Sequence, residues 1–382
     1  MALTVATGRL PIATSFASTS CGTAGVGSRI SNQESLMLTA IKSSLRSVLG
    51  SFGVVKDASP REYVKTLLGT TELFAADVGA AGWLPPRWDK LEGVLNFLFF
   101  EPHPESYQKL DKRAQNCSAP DMMTVFNTAL SGTGGKRTLH LLNTPTGSSL
   151  LPVDLDSEFV DKEDKYIFPI REVEVETRTL LDVLDEANQH LHMLKLDVQG
   201  AEYEILDGLG KTRRNDLVMV EAEVNIGGSI HVDAPTFNDI KEILTDAGLR
   251  LYDVFVVRTY RKKHGDKFWY HRNLFNVDNT SPSLRGRTHE FDVMYFKDYR
   301  PLIKEKNEAQ LRRLLVALCT YHYFSEAHFI IDKSRDAGLF DPDEAKRMQQ
   351  AIVDWHNRSV RQFWYGRGAV AKLLRRLIRT TD

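Results

Sequence analysis

The order of apolar and polar positions predicts short strands alternating with helices through the middle of the chain. Apolar runs with the length of buried strands occur at residues 73–78, 94–100, 122–126, 193–198 and 217–224. Further extended segments are expected at 137–142, 173–176, 249–257 and 291–296, and helices at 179–188, from 201 onward and at 234–247. This alternation favours a mainly parallel sheet that is covered by helices on both faces, with an antiparallel strand at its edge.

The two ends of the chain depart from this pattern. Residues 1–33 contain no Asp or Glu and are rich in small residues, which indicates a flexible tail; their low Arg content disfavours a transit peptide. Residues 34–69 carry two helical patterns, and the region 301–382 carries only helical patterns, at 305–333 and 341–379. We therefore expect a flexible tail, N-terminal helices, a sheet domain over 70–300 and a helical C-terminal appendage.

Composition and charge narrow the function only slightly. The net charge of −1 gives no overall attraction to nucleic acid, and the three cysteines lack the spacing of a zinc site or a disulfide framework. No apolar run approaches the roughly 18 residues that cross a bilayer. We expect a cytoplasmic protein that binds no nucleic acid.

A glycine-containing turn follows the first predicted strand, in the segment Asp77-Val-Gly-Ala-Ala-Gly82, and a helix is expected to follow this turn. Its glycines allow a sharp turn and a close approach to a ligand. The acid in the leading position would repel a phosphate, whereas it suits a cationic group. The turn therefore disfavours NAD and favours S-adenosylmethionine, which carries an ammonium and a sulfonium but no phosphate.

A second acid, Glu101, ends the next strand about 20 residues beyond the glycine turn. A carboxylate at this spacing can accept hydrogen bonds from both hydroxyls of a ribose. The alternative is an acidic helix cap that leads into Pro104.

The most informative segment runs from His192 to Leu209 and contains a strand, a polar turn and a helix start. Asp197 follows at the carboxyl end of this strand, where ligands bind in open α/β sheets. Lys195 shares its sheet face with Asp197, and Glu202 lies in the first turn of the helix. We interpret Asp197, Lys195 and Glu202 as reaction-site residues, with a structural role for the acids as the alternative.

Other polar groups leave alternatives open. Glu221 and Glu223 share a face of the next strand and could join Asp197 in a carboxylate cluster for a divalent cation, although no metal is required. The histidines His103, His231 and His271 are alternative bases.

The chain resembles the FkbM-type S-adenosylmethionine-dependent methyltransferases over roughly residues 70–298. The matching pieces, in order, are Asp77-Val-Gly-Ala-Ala-Gly82, Phe100-Glu-Pro-His-Pro104, Asn127-Thr-Ala-Leu-Ser131, Ser148-Ser-Leu150, Thr179-Leu-Leu-Asp182, Leu194-Lys-Leu-Asp-Val-Gln-Gly-Ala-Glu202, Val220-Glu-Ala-Glu-Val224 and Asp292-Val-Met-Tyr295. The resemblance implies an α/β fold with a Rossmann-like methyltransferase sheet and helical N- and C-terminal additions. The turn after Gly82 departs from the family, because it contains two prolines and two tryptophans.

Site residues follow from these motifs together with the resemblance. The expected cofactor-binding residues are Asp77, Gly79, Ala80, Gly82, Glu101, Pro102, Ala129, Leu130 and Asp197, and by resemblance Ser148 and Ser149 line the pocket. The expected function is O-methylation of a hydroxyl on a saccharide or a secondary metabolite. The alternative is a non-catalytic nucleoside-binding or scaffold protein on the same fold.

Two segments suggest partners or regulation. Residues 258–290 form a polar and aromatic stretch that is too long for a plain connection and is typical of a lid or binding loop. The last helical pattern places Arg367, Lys372, Arg375, Arg376 and Arg379 beside apolar residues. Such a basic amphipathic helix is compatible with a peripheral membrane contact, or with packing against the body or a second subunit of a homo-oligomer.

Overall fold

A seven-stranded sheet in the order β3-β2-β1-β7-β8-β10-β9 organises the molecule. Its strands are β1 (Phe74–Val78), β2 (Asn96–Phe100), β3 (Met123–Phe126), β7 (Met193–Leu196), β8 (Met219–Asn225), β9 (Leu249–Thr259) and β10 (Arg287–Lys297). The first five in the sheet order run parallel, and β10 pairs antiparallel with both β8 and β9. The predicted α/β fold is confirmed; the antiparallel strand lies second from the edge.

The computed structural model describes residues 59–80, 82–85, 87–143, 147–157, 168–226, 229–259 and 287–367. For the segments 256–259, 287–290 and 361–367 it describes the backbone alone. Outside the described residues lie the predicted tail, the first of the two helical patterns within 34–69, most of the loop 258–290 with His271, and the basic segment beyond Arg367.

Helices pack against both faces of the sheet. They are α1 (Pro60–Leu68), α2 (Pro104–Gln115), α3 (Leu180–Glu186), α4 (Glu202–Gly208), α5 (Gly210–Asp216), α6 (Phe237–Asp246), α7 (Tyr299–Lys304), α8 (Glu308–Thr320), α9 (Phe324–Asp336) and α10 (Pro342–Arg367). None of these described helices combines the length and apolar character needed to cross a bilayer.

The sheet buries both of its faces, as the near-continuous apolar strands require. On one face, which we call the C-terminal face, alternate strand residues such as Ala75, Phe97 and Met219 pack against α1, α2 and the helices α8 to α10. On the opposite face, residues such as Ala76 and Leu194 pack against α3, α4 and α6. The predicted domain boundaries stay a prediction; the segment Ala58–Gly366 forms one compact unit.

Three local features differ from the expectations. A second sheet, in the order β4-β6-β5, joins β4 (Ala129–Leu130), β5 (Gly135–Leu142) and β6 (Pro169–Arg178). The helix predicted over 305–333 is wrong, because the chain turns between α8 and α9, where His322 has a φ of 70°. The described residues between β1 and β2 form a single 3-10 turn, Asp89–Leu91, and no α-helix.

The two turns that the sequence singled out touch at the carboxyl edge of the sheet. The strands β1 and β7 are neighbours, and the backbone N–H of Asp197 donates to the carbonyl of Val78 at 3.1 Å. Gly79 has a φ of 86°, and a Cβ atom at this position would lie 2.0 Å from the carbonyl oxygen of Asp197. Glycine is therefore required here by both the backbone conformation and the space.

We expect Gly79→Ala to reduce the free energy of unfolding by roughly 3 kcal/mol, because the new methyl group would collide with the neighbouring turn. Gly210→Ala is the matched control, since Gly210 also has a positive φ, 74°, but would meet no atom within 4 Å. It should cost about 1 kcal/mol. Urea denaturation of both variants measures the difference, and equal losses would show that the contact between the turns is unimportant.

Candidate active site

A cavity opens where β1, β2 and β7 end. Its empty volume is about 690 Å³, a figure that includes the solvent at its open mouth. Of the expected cofactor-binding residues, Gly79, Glu101, Pro102, Ala129, Leu130 and Asp197 line it, and so do Ser148 and Ser149. The structure therefore brings together residues that are up to 118 positions apart in the sequence.

Glu101 forms one wall of the cavity. It is buried, and its Oε1 accepts a hydrogen bond from the backbone N–H of His103 at 2.8 Å. Burial raises the pKa of this carboxyl, although the bond from His103 opposes the shift. The Nδ1 atom of His103 is buried and has no hydrogen-bond partner among the described residues. A polar ligand in this cavity could satisfy both groups.

Glu202 organises the turn on the opposite wall. Its Oε1 accepts from the N–H of Val198 at 3.0 Å and its Oε2 accepts from the N–H of Gly200 at 2.9 Å. Burial raises its pKa to about 7, against the effect of these bonds. Glu202 was expected to take part in the reaction, but both oxygens are committed to the backbone and the residue does not line the cavity. These contacts support the structural alternative.

Lys195 lies between two carboxylates on the C-terminal face of the sheet. Its Nζ is 3.4 Å from Oδ1 of Asp77 and 3.3 Å from Oδ2 of Asp197. Burial lowers the pKa of Lys195, but the neighbouring carboxylates Asp77, Asp197 and Glu221 outweigh this effect and raise the pKa above its ordinary value. Lys195 is therefore a permanent cation and cannot act as a proton acceptor.

Of the two carboxylates that contact Lys195, Asp197 is the one that lines the cavity. Its side chain is 43% exposed, and its Oδ1 accepts from the side-chain amide of Gln199 at 3.2 Å. Burial raises its pKa, but Lys195 and the neighbouring hydrogen bonds outweigh burial and lower it below the ordinary value. Asp197 is thus ionised at neutral pH and can accept a hydrogen bond from a ligand.

Three of the expected cofactor residues do not line the cavity. Asp77 is 3% exposed and lies on the C-terminal face in contact with Lys195. Burial raises the pKa of Asp77 to about 6, and Lys195 opposes the shift. Ala80 packs into the core below the turn, and Gly82 is exposed beyond it.

Three side chains that were not expected in the site, Arg87, Tyr321 and Asp292, lie near Glu221 at β8 and β10. The hydroxyl of Tyr321 donates to Oε2 of Glu221 at 2.5 Å, and a guanidinium nitrogen of Arg87 lies 3.4 Å from the same oxygen. Burial, reinforced by Glu221 and Asp197, raises the pKa of Asp292 to about 6. Asp292 begins one of the segments that resemble the family, and Arg87 lies in the unusual proline-rich turn, but no chemical role was expected for either. Tyr321 lies outside the segments that resemble the family.

The remaining alternatives find less support. Among the described residues, no group of three or more His, Cys, Asp or Glu side chains has the arrangement of a metal site. Glu223 accepts a hydrogen bond from the amide of Gln199, which also donates to Asp197. His103 lines the cavity, whereas His231 is buried in the loop after β8 and does not line it.

Comparison with known proteins identifies the region that contains this cavity. Residues 80–251 match the family model described as Methyltransferase FkbM domain. A curated relative, the methyltransferase sdnD of Sordaria araneosa, is 32% identical over 130 residues, which cover 29% of this chain and 50% of that protein. The chain thus spans about half the length of this curated relative.

Solved structures give partial overlaps. The methyltransferase FkbM of Methylobacillus flagellatus KT aligns with a TM-score of 0.31 and 13% identity, over 61% of this chain and 47% of that chain. The magnesium protoporphyrin IX methyltransferase of Synechocystis PCC 6803, solved with bound S-adenosylmethionine, aligns with a TM-score of 0.30 and 10% identity. That overlap covers 63% of this chain and 78% of the other.

The family match confirms the resemblance drawn from the motifs, and with it the expected cofactor at the level of the family, whose members use S-adenosylmethionine. Residues 80–251 of this chain belong to the FkbM methyltransferase domain family.

Proposed function

We propose that this protein is an S-adenosylmethionine-dependent O-methyltransferase that methylates a hydroxyl of a saccharide or a secondary metabolite. The observation that carries the proposal is the charge of the cavity. Among the described residues that line it, the charged ones are two carboxylates, Glu101 and Asp197. Two acids without a lysine or arginine suit a cationic ligand and oppose a phosphate-bearing one.

The residues present fit S-adenosylmethionine in three further respects. Gly79 leaves the turn free of a side chain, so that the backbone can approach a ligand. Glu101 is positioned at the end of β2 to accept hydrogen bonds from ribose hydroxyls, and apolar Leu130 and Leu139 offer a surface for a flat base.

The chain's own contribution to the reaction is alignment and charge. The cofactor, when bound, supplies a methyl group that is already activated by its sulfonium. Asp197 would accept a hydrogen bond from the acceptor hydroxyl and hold its oxygen in line. Lys195 would keep Asp197 ionised, since the ion pair lowers the pKa of Asp197.

The lowered pKa makes Asp197 a weak base and therefore favours an orienting role. Efficient general bases have a pKa near the working pH. Asp292, whose pKa is raised to about 6, meets that condition better and lies close enough to Asp197 to interact with it. We propose Asp292 as the second group to test for proton transfer.

The first test identifies the methyl acceptor. Glycans and small metabolites from the source cells would be incubated with the full chain and S-adenosylmethionine that carries a deuterated methyl group. Mass spectrometry should find a product heavier by that methyl group, and NMR should locate it on oxygen. A label on nitrogen or carbon would refute O-methylation, and tight cofactor binding with no product would favour the non-catalytic alternative.

We expect Glu101→Ala to weaken S-adenosylmethionine binding by about tenfold to a hundredfold, because a charged hydrogen-bond acceptor is worth about 1.5–3 kcal/mol. Isothermal titration calorimetry measures the change. Glu105→Ala is the matched control, since Glu105 is exposed in the first turn of α2. Unchanged affinity in the Glu101 variant would remove the ribose assignment.

We expect Asp197→Asn to retain cofactor binding, up to about tenfold weaker, and to lower turnover at saturating cofactor by at least about a hundredfold. The substitution preserves the shape of the side chain but removes its charge. Asp207→Asn, an exposed carboxylate on α4, is the control. Formation of S-adenosylhomocysteine in the acceptor mixture measures turnover, and full activity would exclude a role for Asp197 in the reaction.

A further inference from the structure

We propose that Tyr321, in the turn between α8 and α9, is a positioning residue for the reaction site. Its hydroxyl holds Glu221 away from Lys195, so that the Lys195 ammonium forms ion pairs with Asp77 and Asp197. The inference rests on the proposed function of the cavity, but it concerns a residue 70 positions beyond the end of the matched family domain.

Glu221 is the carboxylate that could compete with Asp77 and Asp197 for an ion pair with Lys195. The two residues are directly paired across the parallel strands β7 and β8, so their side chains leave the same face of the sheet side by side. Glu221 is 6% exposed and contributes to the high pKa of Lys195. Nevertheless, among the described residues, ion-pair contacts within 4.0 Å join Lys195 to Asp77 and Asp197 and not to Glu221.

Three groups hold Glu221 in this position. The hydroxyl of Tyr321 donates to Oε2 at 2.5 Å, and Arg87 approaches the same oxygen at 3.4 Å. The indole N–H of Trp88 donates to the Tyr321 hydroxyl at 3.1 Å and so fixes its orientation. The Arg87 guanidinium also lies over the Tyr321 ring, 5.0 Å from its centre.

The tyrosine hydroxyl is suited to this task because it keeps its proton. Burial, reinforced by the charge of Glu221, raises the pKa of Tyr321 well above its ordinary value. It therefore donates to Glu221 at neutral pH, and a hydrogen bond to a carboxylate is stronger than one between two neutral groups.

Removal of the hydroxyl has a defined consequence. Glu221 would lose the hydrogen bond from Tyr321 inside a buried site, and Arg87 alone would remain in contact with it. The other cation that can approach Glu221 is Lys195, which is paired with it on the neighbouring strand. Asp197 would then lose the cation that lowers its pKa, while its burial would remain. Loss of a neighbouring cation raises a carboxyl pKa by about 1–3 units.

The experiment compares Tyr321→Phe with Tyr323→Phe in the full chain. Tyr323 lies in the same turn, but its hydroxyl donates to Asp253 at the exposed edge of the sheet. Calorimetry would measure S-adenosylmethionine affinity at about pH 8 and about pH 5.5. At the higher pH Asp197 is ionised in every variant, so affinities should agree. At the lower pH the Tyr321 variant should bind about twofold to fivefold more weakly, because a raised pKa leaves Asp197 partly protonated.

A second substitution separates positioning from a loss of folding. In Tyr321→Phe/Glu221→Gln the neutral amide cannot compete for Lys195 as an anion, so the affinity at about pH 5.5 should return to that of the natural chain. A variant that had merely lost packing would not be rescued. Equal weakening at both pH values, or no rescue in the double variant, would overturn the proposal.

The crystal structure of Tyr321→Phe without cofactor gives a test that does not depend on binding. We expect Nζ of Lys195 within 4 Å of a Glu221 oxygen and farther from Asp197 than 3.3 Å. Retention of the original contacts would overturn the proposal. If the natural chain fails to bind S-adenosylmethionine, the proposed function fails, whereas this structural result still decides the role of Tyr321.

Discussion

A buried ammonium on the central strands is the constraint on which the rest of the site depends. Lys195 lies on an otherwise apolar strand, in a position where an unpaired charge would be strongly destabilising. Among the described residues, its ion-pair contacts are with Asp77, below the glycine turn, and with Asp197, at the cavity wall. The strand β7, the glycine turn and the cavity are therefore joined by one electrostatic requirement.

The same strands impose a steric requirement on the backbone. Since Gly79 meets the carbonyl of Asp197 with no room for a Cβ atom, the two turns act as one rim. Glu202 then fixes the second turn by accepting two backbone hydrogen bonds. An acid that appeared suited to chemistry instead shapes the loop that presents Asp197, because buried backbone N–H groups must find acceptors.

The helices beyond residue 300 are part of this arrangement. They cover the C-terminal face of the sheet, and Tyr321 reaches from them to Glu221 at the end of β8. Burial, with a smaller contribution from neighbouring carboxylates, raises the pKa values of Asp77 and Asp292 on this face to about 6, and Lys195 opposes both shifts. A face that the sheet would otherwise expose becomes a charged and enclosed wall of the reaction site.

Much of the sheet could be predicted from the sequence, because a buried strand leaves a run of apolar residues that are neighbours in the chain. The carboxylates Glu101 and Asp197 could be predicted for the same reason, since each acid directly follows such a run. The break of the last helical region at His322 could not be predicted, since a single left-handed residue leaves no periodic pattern. The small sheet β4-β6-β5 could not be predicted either, since the pairing of distant strands leaves none.

By itself the sequence determined the fold class, the family and which acids end which strands. Only the tertiary structure decided that Asp77 lies behind Lys195, that Glu202 bonds to the backbone and that Tyr321 holds Glu221. Those outcomes depend on which side chains from separate strands and helices face one another, and that is fixed by packing across the sheet and not by neighbours in the chain.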